Sequence, residues 1–180
     1  MKTYEFSIVA SGVEPSAANF EDAFFEAGCD DATIAFQRGM LILEFGREAK
    51  SLEQAIASAV RDVKKAGAKV ERIEPDPLVS LSDIAKRTGM SRAAITQFAL
   101  GQRGEGFPLP AVRITTESPL WEWLDIARWM HAHRKAGIDA EAVREARVMK
   151  DVNDALANRR TARHAAPHAA KRKKKHREAA

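Results

Sequence analysis

The segment from Leu81 to Phe98, LSDIAKRTGMSRAAITQF, leaves the chain few choices. Two short amphipathic runs flank Thr88-Gly89-Met90, a gap with room for nothing but a tight turn. Ser82 is placed to cap the first run, with Asp83 near its positive end. Ile84 faces inward, and Ala85 is small where a second helix must come close. Gly89 can take the left-handed conformation that residues with a Cβ resist, and Met90 is the apolar residue that fills the angle. Ser91 caps the second run, in which Ile95 and Phe98 turn back toward the first. Helical periodicity then leaves Ser91, Arg92, Ala93, Thr96 and Gln97 on the opposite side. The expected product is a bent helical pair with one short, polar outer face.

The residues that follow narrow the reading. Gly101 to Pro110, GQRGEGFPLP, cannot be helical. Ala111-Val112-Arg113-Ile114 is expected to pair with Leu120-Trp121-Glu122-Trp123 across residues 115–119 as a small hairpin, or wing. Leu124 to Met130 puts Ile126, Trp129 and Met130 on one helical face. Trp121, Trp123 and Trp129 could stack on unpaired bases, but aromatics at this spacing beside a hairpin are more simply core. Gly101 to Gly106 lacks the preceding strand and following helix of a nucleotide-binding loop.

A polar helix face of this kind suits the DNA major groove. Arginine can grip guanine O6 and N7, glutamine can pair with adenine, and serine or threonine can serve a base or a phosphate. Ala85, Gly89, Met90, Ile95 and Phe98 resemble the bacterial helix-turn-helix pattern. With Phe107-Pro108, Trp121, Asp125 and Trp129, the run is similar to the AlpA and excisionase-like (MerR-related) winged helix-turn-helix proteins. The resemblance covers about 50 residues and implies DNA binding by residues 78–136. Its implied contacts are Ser91, Arg92, Ala93, Thr96 and Gln97 on the second helix, with Arg103 and Arg113 reaching phosphates. Gly104 and Gly106, and the large preceding domain, depart from that family.

Residues 1–75 form a separate acidic domain. Residues 1–76 hold 9 Lys and Arg against 14 Asp and Glu, whereas 77–180 hold 20 against 11. Tyr4 to Ile8 alternates as a strand. Between Pro15 and Ala27, Phe20, Ala23, Phe24 and Ala27 recur at helical spacing before Gly28. Residues 33–36 and 41–45 flank Arg38-Gly39 as a hairpin. Ser51 and Gln54 open a second helix carrying Leu52, Ile56, Ala59, Val60 and Val63, and residues 68–74 supply a last strand before the linker Pro75-Asp76-Pro77. The order βαββαβ resembles a ferredoxin-like fold, so the whole chain is expected to be α+β. That architecture implies no activity, and the domain is expected to serve dimerisation or to bind an unknown protein or small molecule. Asp30-Asp31 reads as a solvated turn and Cys29 as a small buried hydrophobe.

Asp139 caps an expected helix over residues 139–160, whose thin apolar stripe either packs on the body or pairs with a second copy. In a homodimer, two recognition helices would stand roughly 34 Å apart, about one DNA turn. Residues 161–180 are expected to be a disordered tail. The stretch 157–180 holds 9 basic residues and one acidic one, a composition that grips phosphates without sequence preference. His131 and His133 stand two apart on a helix and diverge, so no shared metal is expected. With no membrane-length apolar run and no leader, the protein is expected in a bacterial cytoplasm. No glycine-rich phosphate loop or catalytic constellation is present, so no enzyme, cofactor or metal is expected. The leading expectation is a transcriptional or mobile-element regulator. The alternatives are an antitoxin-like or adaptor protein whose helical hairpin docks protein, and a single-strand or RNA binder.

Overall fold

A computed structural model describes residues 1–177 apart from 15, 17 and 18, with side chains as far as Ala162. The chain is of mixed α and β type and divides into two compact units. One comprises Met1–Ile73 and Asp151–Ala180, the other Glu74–Lys150.

The first unit follows the order β1 (Lys2–Ser11), α1 (Phe20–Ala27), β2 (Ala32–Gln37), β3 (Met40–Ala49), α2 (Leu52–Lys65), β4 (Lys69–Glu74). Alternation decides its buried face: Tyr4, Phe6, Ile8 and Ala10 of β1 and Leu41, Leu43 and Phe45 of β3 all point inward. The sheet order is β2-β3-β1-β4, with β3 antiparallel to both β1 and β2. Arg38 and Gly39 both take positive φ, 54° and 78°, so their two-residue turn matches the twist of the strands it joins. The apolar stripe Leu52, Ile56, Ala59 and Val63 of α2 is buried, as are Phe24 and Ala27 of α1. Ser51 caps α2 by accepting from the Gln54 N–H at 3.3 Å. The expected helix from Pro15 begins instead at Phe20, and Pro15 itself lies outside the described residues.

Asp30-Asp31 lies in a turn with Asp30 exposed, as expected, but Arg47 corrects the expectation that Asp31 is solvated. Its Nε and Nη2 fork onto the Asp31 carboxylate at 2.8 and 2.7 Å. Nη1 donates to Asp62 at 2.7 Å and to Ser58 at 3.1 Å, and Nη2 donates to the Gly28 carbonyl at 2.6 Å. All five N–H donors of a buried guanidinium are thereby used, and Asp31 is tied down because β3 alternation aims Arg47 inward. Cys29 is buried beside this cluster. Burial, assisted by Asp62, pushes its thiol up to about 11.

The second unit contains β5 (Leu78–Val79), α3 (Leu81–Thr88), α4 (Arg92–Ala99), β6 (Trp121–Glu122), α5 (Trp123–Ala132) and the start of α6 (Ala140–Arg177). Its core gathers Val79, Ile84, Ile95, Phe98, Trp121, Ile126, Trp129 and Met130. The expected hairpin is reduced to one antiparallel bridge, Val112 to Leu120. Trp121 and Glu122 pair with Val79 and Leu78 instead. Two facts explain the change: Arg113 at φ 57° ends the extended run, and Trp123 already opens a helix. Pairing with β5 also buries Trp121, whose indole N–H donates to the Pro108 carbonyl at 3.0 Å.

The helix expected to end near Arg160 runs on to Arg177, so the expectation of a disordered stretch from residue 161 is corrected as far as that residue. Alanine, lysine and arginine dominate this stretch, and all three are strong helix formers. Residues 178–180 lie outside the described residues. Among the described residues no helix is long and apolar enough to cross a membrane.

Candidate nucleic-acid interface

The outer face of α4 is built by three local devices. The first is the start of α3, which is capped by Ser80 rather than by Ser82. The Ser80 hydroxyl accepts from the Asp83 N–H at 3.2 Å, while the Asp83 carboxylate accepts from the Ser80 N–H at 2.9 Å and its hydroxyl at 2.6 Å. These bonds, the hydroxyl's first, hold the Asp83 carboxyl below its ordinary 3.8. The second device is the turn. Gly89 ends α3 in the left-handed region at φ 66°, and buried Thr88 donates its hydroxyl to the Ile84 carbonyl at 2.7 Å. The third is Ser91, which caps α4 by accepting from the Ala94 N–H at 3.2 Å.

The opposite side of α4 is anchored. Ile95 and Phe98 are buried, and Phe98 belongs to an aromatic cluster with Phe107 and Trp129. Trp129 meets Phe98 and Phe107 edge-on, each at 5.1 Å between centroids, and the two phenyl rings stack at 6.0 Å. The Trp129 indole N–H donates to the Glu105 carbonyl at 3.0 Å, which fastens the glycine-rich loop onto the same core. At Gly104, φ 72°, an added Cβ would stand 3.2 Å from Trp129 and 3.3 Å from Phe98. The loop glycines therefore permit close packing on aromatic rings. Trp121 and Trp129 are core residues, while Trp123 is half-buried.

With its inner side fixed, α4 exposes Ser91, Arg92, Ala93 and Gln97, while Thr96 is half-buried. Thr96 turns its hydroxyl back to the Arg92 carbonyl at 2.9 Å. Arg92 donates from Nη1 to the Ser82 hydroxyl at 2.7 Å, across the turn. Ser82 therefore positions the guanidinium rather than capping a helix. Sequence spacing concealed this, because the two residues meet only once Gly89 has bent the chain. Arg103 is exposed just beyond α4, its guanidinium 5.3 Å from the Phe98 ring centre. Four of the seven expected contact residues thus lie on one short helix, Ser91 caps it and Arg103 adjoins its end. Arg113 stands apart in the 111–120 loop, exposed and at positive φ.

Arg87 on α3 is a cation with a different job. It lies 5.1 Å from the Trp123 ring centre and donates to the Asp76 carbonyl at 2.7 Å, and burial lowers its pKa. Among the described residues no group of three or more His, Cys, Asp or Glu could hold a metal ion. Compared with known protein families, with characterised proteins and with solved structures, the chain matches none.

Proposed function

We propose that this chain binds double-stranded DNA sequence-specifically, with α4 in the major groove, and acts as a bacterial transcriptional or mobile-element regulator. One observation carries the reading: α4 buries Ile95 and Phe98 completely and presents Arg92, Ala93 and Gln97 outward, beside a glycine-made bend. Arginine and glutamine five residues apart, about 1.4 turns, offer two bidentate readers, and Ala93 between them lets the helix approach the base edges. Arg103 and Arg113, with the basic stretch after residue 157, would hold phosphates. The 78–136 segment is read as a winged helix-turn-helix with its wing reduced to the 111–120 loop. The β2-β3-β1-β4 sheet and its helices are read as ferredoxin-like.

The test is to select duplexes from a random pool and then compare Arg92→Ala with the parent chain. On the selected duplex the variant should lose about 1–3 kcal/mol and relax its preference at one base pair, with little change on a scrambled duplex. Equal losses on both would make Arg92 a phosphate contact, and a pool that enriches nothing would overturn sequence-specific binding.

A second reading draws on Leu100, Leu109 and Ile114, which are 65%, 87% and 67% exposed in the same unit. Bare aliphatic side chains beside the helical pair favour a docked protein, as an antitoxin-like or adaptor module would use. A partner whose affinity ignores Arg92→Ala and Gln97→Ala would favour it.

A further inference from the structure

The two edges of the four-stranded sheet are finished differently. At the β4 edge, Asn153 of α6 accepts from the Ile73 N–H at 2.9 Å and donates to the Ile73 carbonyl at 3.0 Å, as a neighbouring strand would. Among the described residues, the β2 edge carries none of the devices that usually discourage pairing. Its sequence, ATIAFQ, has no charge and no proline, and it runs in unbroken register with β3. In a two-residue hairpin the flanking pair, Gln37 and Met40, exchange hydrogen bonds. Alternation then turns Ala35 and Thr33 toward β3, and the N–H and C=O groups of Ile34 and Phe36 point away from the sheet. Apolar surface lies alongside, with Phe36 42% and Phe25 68% exposed.

Charge is placed unequally at the two ends of this strand. Its Asp30 end opens on a groove of about 370 Å³ between α1 and β2, lined by Glu21, Asp22, Phe25, Asp30 and Ile34. Its other end carries exposed Arg38.

We propose that β2 is a self-association edge, pairing antiparallel with β2 of a second copy to make one sheet continuous across both chains. The antiparallel sense follows from charge, since a parallel pair would set Arg38 against Arg38. With Ile34 opposite Ile34, each Arg38 stands opposite the other copy's Asp30, at the mouth of its acidic groove. In the same register the outward N–H and C=O of Ile34 pair with those of the other Ile34 and the Phe36 N–H meets the Ala32 carbonyl, the Ala32 N–H being already given to Cys29, and the bare phenyl rings are covered. Such a two-fold contact closes on itself, so it ends at a dimer. It holds whether or not α4 reads DNA.

Sedimentation of the full chain as a function of concentration is expected to show a monomer–dimer equilibrium. Arg38→Asp, which tolerates the positive φ, should weaken it about 10- to 100-fold, because two symmetric attractions become repulsions. Adding Asp30→Arg to that variant should restore most of the affinity, a rescue that mere misfolding would not allow. Hydrogen exchange at the Ile34 and Phe36 amides should slow as the dimer forms. A chain still monomeric at about 1 mM would overturn the proposal. So would a dimer indifferent to both substitutions or one that leaves those two amides unprotected.

Discussion

Arg47 and Arg92 are the same residue put to opposite uses. In the first unit, Arg47 is buried and spends every donor on Asp31, Asp62, Ser58 and the Gly28 carbonyl. In the second unit the core is aliphatic and aromatic, and Arg92 stays at the surface, steadied by Ser82. A guanidinium consumed by its own fold can stabilise but cannot recognise. One held at the surface by a neighbouring hydroxyl costs little to redirect toward a ligand. Position in the local geometry, rather than net charge, separates an arginine spent on the fold from one left available at the surface. The second unit is close to neutral, yet apart from Arg87 its arginines are exposed.

The largest expected effect comes from removing the buried cation. Arg47→Ala strands Asp62 and Asp31 in a partly buried site, a change that typically costs about 3–5 kcal/mol. Every tryptophan lies in the second unit, so tryptophan fluorescence reports on that unit while far-ultraviolet circular dichroism reports on both. In urea, the dichroism transition should shift or split, and the fluorescence transition should stay in place. Should the fluorescence move equally, the two units are not held independently.

The next effect, about 1–3 kcal/mol, tests whether the second unit relies on aromatic packing where the first relies on charge. Gly104→Ala forces a methyl against Trp129 and Phe98 at positive φ. Gly101→Ala meets nothing within 4 Å at nearly the same φ. Both substitutions share the backbone strain, so the difference between their fluorescence midpoints isolates the clash. Equal midpoints would mean that the loop gives way and that the aromatic cluster is not tightly filled.

Much of this was legible in the sequence because it is local. The Gly89 turn, the Ser91 cap, the Arg38-Gly39 turn and the alternation of β1 and β3 each need only a few neighbouring residues. What was hidden depends on residues distant in sequence. Asp31 reads as a solvated turn until β3 brings Arg47 to it, and Trp121 pairs with Val79 across a gap that no short pattern spans. Sequence spacing puts the cap of α3 at Ser82, whereas Ser80 makes it, and a choice between serines two apart rests on about half a turn of register. The path of the helix past Arg160 escaped for another reason: a strongly basic run reads as disorder from its charge and as helix from its propensities.

The smallest expected effect concerns the surface charge that starts α3. Asp83 is exposed, and hydrogen bonds from Ser80 hold its carboxyl below the ordinary 3.8. A depressed value means the folded state favours the ionised form, so the stabilisation is present above about 3.8 and fades as pH falls through the lower folded value. Asp83→Asn keeps an acceptor oxygen but cannot carry the charge. Near pH 6 the parent should exceed the variant by about 1 kcal/mol in fluorescence-detected melting, as helix caps usually do. The gap should close as pH falls through the folded-state value of Asp83, which lies below 3.8, because there the parent carboxyl is protonated too. A gap that persists there would show that geometry rather than charge holds the cap. The start of α3 would then owe nothing measurable to an ionised group, unlike the first unit at its Arg47 cluster.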